Sequence, residues 1–276
     1  MRLLAGLTAN LTGDGGGRLA ELATAAGIVT QAERLCSDRR SVRRVYGLRV
    51  LTQVGAASAA APPLLDDPDA EVRAAAATWA AGHPEPELAA RVVDMLDDDR
   101  PLCRFAAKDA LLRMGRHAVA PLARRLYENP EGRIEEALAV AASLADPALL
   151  AVALAAAADG SSRRRLLAAQ ACTAIGGAEA TGALERMLGD ADGAVRATAA
   201  TGLGQLGDWG AAPALAAALH DASWDVRRAA ALSLRGLGAP GTLFLREALE
   251  GDDRFAADMA RQVLELPLVG KALVAA

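Results

Sequence analysis

The sequence predicts an all-α fold, a solenoid of about eight stacked helix pairs. Two observations predict it. The 276-residue chain is 53% hydrophobic but only 3% aromatic, so small side chains supply most of its apolar surface, and many thin helix contacts suit it better than one thick core. The second observation is a pattern that recurs every 30 or 31 residues, a period typical of stacked repeats.

The period is clearest around an apolar anchor position in the second helix of each unit. Five residues before it stands a turn or helix N-cap residue, and one residue after it an arginine in most units. Apolar residues recur at the anchor and four, eight and eleven residues later, which is one face of a helix. The predicted anchors are Val42, Val72, Cys103, Ile134, Arg164, Val195, Val226 and Ala256.

The ends of the chain differ from the middle, as terminal repeats do when one of their faces meets water. We expect residues 1–27 to form an N-terminal cap, residues 28–266 the solenoid, and residues 267–276 a C-terminal tail. Pro267 ends the last predicted helix.

Charge and cysteine content exclude several function classes. With 30 basic and 34 acidic residues, the chain has no net positive field to attract nucleic acid. Its three cysteines lie 67 and 69 residues apart, without the clustering of a zinc site or a disulfide framework. No segment resembles a signal peptide or a membrane span. We therefore predict a cytoplasmic protein with no cofactor, no metal and no membrane contact.

The pattern Leu…Asp…Val-Arg-x-x-Ala-Ala…Leu-Gly resembles HEAT repeats of the bacterial phycobilisome-lyase-like type, an armadillo-like class, over roughly residues 28–266. The resemblance implies a right-handed solenoid whose second helices line a concave face, and a structural ladder of turn aspartates and arginines between repeats. The fourth and eighth units depart from the pattern, so the ladder should be interrupted there. Its implied members are Asp67, Arg73, Asp98, Arg104, Asp159, Arg165, Asp190, Arg196, Asp221 and Arg227.

The function predicted from this architecture is a non-enzymatic scaffold or adaptor that binds another protein along the second helices and is a monomer on its own. No catalytic residue is identifiable. Arginine and aromatic side chains are the usual interface anchors, and two tryptophans stand in turns. The candidate contact residues are Arg44, Trp79, Phe105, Arg113, Gln170, Gln205, Trp209, Trp224, Arg228 and Arg235.

Two alternatives stay open. The resemblance to phycobilisome lyases implies a bilin lyase-like enzyme that binds a tetrapyrrole. A DNA-binding relative of a HEAT-like glycosylase is the weaker alternative: Arg163, Arg164 and Arg165 could attract phosphate, but the acidic turns near Asp67 and Asp98 oppose it.

Overall fold

The computed structural model describes residues 14–128 and 133–266. Every element of regular secondary structure within those ranges is a helix. The chain forms two compact units, Met1–Ala148 and Leu149–Ala276. Each consists of helix pairs packed side by side, so the all-α repeat fold is confirmed. Two predicted segments lie outside the described residues: the tail, residues 267–276, and residues 1–13 of the cap.

Within the described residues, the N-terminal unit starts with the helix Asp14–Ala25 and continues as helix pairs. A short 3-10 helix, Pro62–Asp66, serves as the first helix of the second pair. The α-helices are α1 Asp14–Ala25, α2 Ile28–Cys36, α3 Ser41–Val54, α4 Ala70–Ala80, α5 Pro86–Asp94, α6 Pro101–Met114, α7 Arg116–Glu128 and α8 Ile134–Leu144.

The C-terminal unit repeats the same alternation. Short 3-10 helices flank α13 on both sides, so the first helix of that pair is a composite. The α-helices are α9 Leu150–Ala156, α10 Ser162–Ile175, α11 Ala178–Met187, α12 Gly193–Leu206, α13 Ala212–Ala217, α14 Trp224–Gly236, α15 Ala239–Glu250 and α16 Arg254–Glu265.

Small residues set the packing of the second helices. The anchors Val195 and Val226 are fully buried, as are Ala199 and Ala230 four residues later. A methyl side chain at the contact lets neighbouring helices approach closely and removes apolar surface from water without bulk. The low aromatic content is therefore a property of this packing.

The predicted register of the first repeat is wrong by one residue. Val42, the predicted anchor, is 75% exposed, and Arg44 rather than Arg43 stands three residues after the start of its helix, as Arg73 does in the next repeat. Helix α3 begins at Ser41 after Arg40, which places Gly47 where the other repeats have alanine. A Cβ on Gly47 would lie 2.6 Å from the Ala32 carbonyl oxygen, so the helices could not approach this closely with any other residue.

Candidate protein-binding grooves

A ladder of arginines and aspartates joins successive repeats within each unit. In four steps an arginine at the start of one second helix donates Nε and Nη2 to the carboxylate that precedes the next second helix, over 2.6–3.0 Å. Its Nη1 meanwhile donates to the backbone carbonyl of the turn in its own repeat. These pairs are Arg44–Asp67, Arg73–Asp98, Arg165–Asp190 and Arg196–Asp221.

The forked bonds favour the charged form of three ladder carboxylates. Hydrogen bonds from the paired arginine lower the pKa of Asp98, Asp190 and Asp221 below the usual range, and burial opposes this shift. Each carboxylate also accepts a bond from the backbone N–H two residues ahead. The ladder thus fixes each turn and the start of the helix after it.

Three predicted ladder members depart from this arrangement. Arg104 donates to the Asp98 carbonyl oxygen at 2.7 Å, but its nearest carboxylate is Glu136 at 3.7 Å. Asp159 accepts from Arg164 at 3.3 Å, within its own repeat. Arg227 donates to the Asp221 carbonyl oxygen and has no carboxylate partner among the described residues. Asn129 lies outside the described residues.

The N-terminal unit carries an open groove of about 590 Å³ across three successive second helices, α3, α4 and α6. Phe105, a candidate contact residue, lines it and is 70% exposed. Leu102 beside it is also exposed. Arg49, Glu71 and Asp109 supply the charges of this groove. An exposed aromatic ring in a groove edged by charges is a typical protein-contact arrangement.

The C-terminal unit carries the equivalent groove, of about 690 Å³, across α10, α12 and α14. Its lining combines amides and hydroxyls with small apolar residues, and it brings together three candidate residues, Gln170, Gln205 and Arg228, all exposed. The guanidinium of Arg228 lies 5.5 Å from the ring centre of Trp224. Side-chain amides and a guanidinium can donate several hydrogen bonds to a bound chain.

For two candidate contact residues, Arg44 and Trp79, the predicted place in the groove is wrong. Arg44 is not a free groove residue, because the one-residue shift of the first repeat places it in the ladder with Asp67. Trp79 is only 3% exposed. Its indole N–H donates to the Ala56 carbonyl oxygen at 3.0 Å, and its ring stacks on His83 with centroids 4.3 Å apart. Trp79 is therefore a core residue.

Arg235 and Arg113 are also engaged within the chain, to different degrees. Arg235 donates Nη1 to the Leu264 carbonyl oxygen at 3.0 Å and Nη2 to that of Leu266, so it caps the C-terminal end of α16, where a cation is favoured. Arg113 is exposed and lies 3.7 Å from Asp109 one turn earlier on the same helix.

The structure does not bring the two turn tryptophans together. Trp224 begins α14 and is half-exposed, whereas Trp209 follows the C-terminal end of α12 and is 70% exposed. Arg196 at the start of α12 reaches Asp221 just before α14, so the two helices run in the same direction. The tryptophans consequently lie at opposite ends of the helix pair, and only Trp224 adjoins the groove.

Sequence reasoning missed the threonines that line the C-terminal groove. Thr198 and Thr201 lie one turn apart on α12, and Thr173 faces them from α10. Each hydroxyl donates to the carbonyl four residues before it, so its oxygen can still accept a hydrogen bond. Their shared place on the solvent side of successive second helices was the available signal.

Neither a metal centre nor a membrane span appears in the described parts of the chain. No group of three or more His, Cys, Asp or Glu side chains is arranged to hold an ion there. No helix within 14–128 or 133–266 is long and apolar enough to cross a bilayer. All three cysteines are buried, and burial raises the pKa of the Cys36 and Cys172 thiols to about 11.

The family model described as HEAT repeats matches residues 58–143 and 182–265. The chain belongs to the HEAT-repeat family. Its matched segments include both grooves' central helices and most of the ladder, so these features are parts of HEAT repeats. No curated protein sequence matches the chain.

Solved structures share the fold at low sequence identity. A mutant of Kap121p matches with a TM-score of 0.59 and 12% identity, over 95% of this chain and 37% of that chain. The Kap95:Nup1 complex matches at 0.58 and 12%, over 89% and 42%. The CpcE–CpcF phycocyanin lyase of Nostoc sp. PCC7120 matches at 0.39 and 16%, over 86% and 93%. These likenesses are of fold alone.

Proposed function

We propose that this HEAT-repeat protein is a non-enzymatic scaffold that binds a partner protein along the exposed side of its second helices. The observation that carries the proposal is the pair of open grooves, one in each unit, which each cross three consecutive second helices. The grooves contain exposed side chains, such as Phe105 and Gln205, that make no hydrogen bond or ring contact with another described residue.

The two grooves would recognise different parts of a partner. The N-terminal groove has exposed apolar side chains in Phe105 and Leu102, which favour an apolar side chain of the partner because contact removes both surfaces from water. The C-terminal groove, with its amides and hydroxyls, favours a polar segment whose hydrogen bonds it can satisfy. Binding would depend on complementarity along both surfaces, with no chemical step.

A karyopherin precedent supports a protein partner. Kap95, which has the same fold over 42% of its chain, was solved in complex with Nup1. That complex belongs to Kap95; for this chain it supports a protein as the class of partner.

The test is capture of partners from the native host with matched pairs of variants. Phe105→Ala removes an exposed groove aromatic, and Tyr127→Ala removes an exposed aromatic on α7. Arg228→Glu reverses a groove charge, and Arg246→Glu reverses an exposed charge on α15, outside the groove. We expect the groove variants to lose specific partners, quantified by mass spectrometry, while both controls retain them.

Equal capture by all four variants would refute a role for the grooves. A titration with heme and with a bilin runs in parallel. A stoichiometric absorbance shift would replace the scaffold proposal with tetrapyrrole binding.

A further inference from the structure

The last arginine of the ladder lacks the acceptor that its predecessors have. Arg227 keeps the inner half of the arrangement, because its Nη1 donates to the carbonyl oxygens of Asp221 at 2.7 Å and Ala222 at 3.0 Å. Its Nε is buried and bonds to nothing in the described part of the chain. In the four complete steps, the same nitrogen always binds an aspartate.

The cause is a single residue. Gly251 stands where the preceding repeat has Asp221, before the start of the next second helix. Its backbone is extended, with φ −80° and ψ 165°, close to the φ −62° and ψ 146° of Asp221. The turn therefore keeps the ladder geometry, and only the carboxylate is missing.

An aromatic ring lies beside the Arg227 guanidinium. The Arg227 guanidinium is 5.3 Å from the centre of the Phe255 ring, and Arg254 approaches the same ring at 4.9 Å. A ring face attracts cations, but it has no oxygen lone pair to accept a hydrogen bond from the buried Nε–H. The arginine is held in position by its Nη1 bonds, while its Nε makes no hydrogen bond to a described residue.

Arginines and carboxylates both stand near this Nε, and the arginines favour an anion. Arg228 and Arg254 stand beside Arg227 at the N-terminal ends of α14 and α16, where the helix dipoles add positive charge. The Asp253 carboxylate, which caps α16, is already engaged. It accepts from the backbone N–H groups of Phe255 and Ala256 and from His220 Nδ1 at 2.8 Å. Asp225 and Asp252 are exposed and make no hydrogen bond or ion pair with another described residue.

We propose that Arg227 binds a carboxylate from a partner protein, an aspartate or glutamate side chain that takes the place of the missing ladder residue. The carboxylate oxygens accept from Nε and Nη2 as Asp221 accepts from Arg196. Phe255 is half-exposed, so its side chain turns aside to admit the acidic group and then packs against the partner backbone. The site adjoins the C-terminal groove at Arg228, but Arg227 and Phe255 do not line that groove, so the proposal does not depend on the function of the grooves.

The chain itself supplies a suitable probe. A peptide that copies residues 64–73 contains the acidic turn around Asp67, which fills the ladder fork of Arg44. The Nε–Hε resonance of Arg227 in a proton–nitrogen NMR spectrum reports the bond directly. We expect the peptide to shift this resonance at up to millimolar concentration, and a peptide with Asp67→Asn to bind at least about tenfold more weakly, because a charge-assisted bond is lost.

Two variants of the full chain decide the matter. Gly251→Asp supplies the carboxylate from within, so its Arg227 Hε resonance should be shifted before any peptide is added and peptide binding should be lost. Gly251→Ala changes the backbone without adding a carboxylate, and it should bind like the wild type. Both variants are compatible with folding, since a Cβ at 251 meets nothing closer than 3.6 Å.

Any of three results would overturn the proposal: no shift of the Arg227 resonance with peptide, equal binding by Gly251→Asp, or binding of inorganic phosphate in preference to the acidic peptide. The last result would assign the site to a phosphorylated ligand. Groove variants such as Phe105→Ala should leave the peptide affinity unchanged, so the two proposals succeed or fail separately.

Discussion

Gly251→Asp should stabilise the last repeat by completing the ladder. Arg227 is already positioned by its bonds to the Asp221 and Ala222 carbonyl oxygens, so little additional ordering is required of the arginine. The new carboxylate should accept from Nε and Nη2 of Arg227, as Asp221 does from Arg196 at 2.7 and 2.9 Å. Its Oδ1 should also accept from the backbone N–H of residue 253, as in the other turns.

Two terms set the magnitude. Replacing glycine in an extended conformation restricts the unfolded chain and contributes about 0.4–1 kcal/mol. Hydrogen bonds to a charged group contribute about 1.5–3 kcal/mol, and we take the lower end because the ladder side chains retain 13–18% exposure in the equivalent Arg196–Asp221 step. The sum is about 2 kcal/mol of added unfolding free energy, and a Tm rise of about 4–8 °C for a domain of this size.

The assay is thermal and urea unfolding of the wild type, Gly251→Ala, Gly251→Asn and Gly251→Asp, with hydrogen exchange of α16 as the local measurement. Alanine isolates the backbone term, and asparagine keeps the shape without the charge. We expect the order Asp above Asn above Ala, and an aspartate advantage that vanishes in an Arg227→Lys background, where the fork is absent. Equal stabilisation by Ala and Asp would show that the fork does not form and would refute the reasoning.

Three further predictions concern packing, acid and the thiols. Gly204→Ala should destabilise the C-terminal unit by about 1–3 kcal/mol in urea unfolding, since its Cβ would lie 2.5 Å from that of Ser233, whereas Gly236→Ala, which meets nothing within 4 Å, should be neutral or stabilising. Because arginine bonds lower the folded pKa of Asp221, its contribution is present above the unfolded pKa near 4 and lost as pH falls through the folded value. Asp221→Asn should therefore lower stability at pH 7 and flatten its decline below about pH 4; an unchanged acid limb would contradict this. The three buried thiols should react with a thiol reagent only on unfolding, since burial raises the pKa of Cys172 to about 11, and rapid labelling of the native protein would show that they are accessible.

Single residues show how much of the candidate site could be predicted from the sequence. Phe105, Gln170, Gln205 and Arg228 lie in the grooves because their column positions fix the helix face on which they stand. Trp79 stands seven residues after its anchor, in a column that is also buried in other repeats, as at Ala110 and Ala141. The period therefore signals its burial, whereas the bond of its indole to the Ala56 carbonyl oxygen depends on the path of the preceding loop.

The sequence by itself determined the repeat, the alternation of first and second helices and the all-α class, because a 30–31-residue period with a helical apolar face allows few other arrangements. Tertiary structure decided the rest. The one-residue shift of the first repeat places Gly47 against α2, where a Cβ would meet the Ala32 carbonyl oxygen, and it places Arg44 in the ladder with Asp67. Likewise, Gly251 is only a departure from a pattern in the sequence. Its consequence, a buried Arg227 Nε that finds no acceptor among the described residues, exists only once neighbouring repeats are packed, since hydrogen bonds between repeats are set by distance in space.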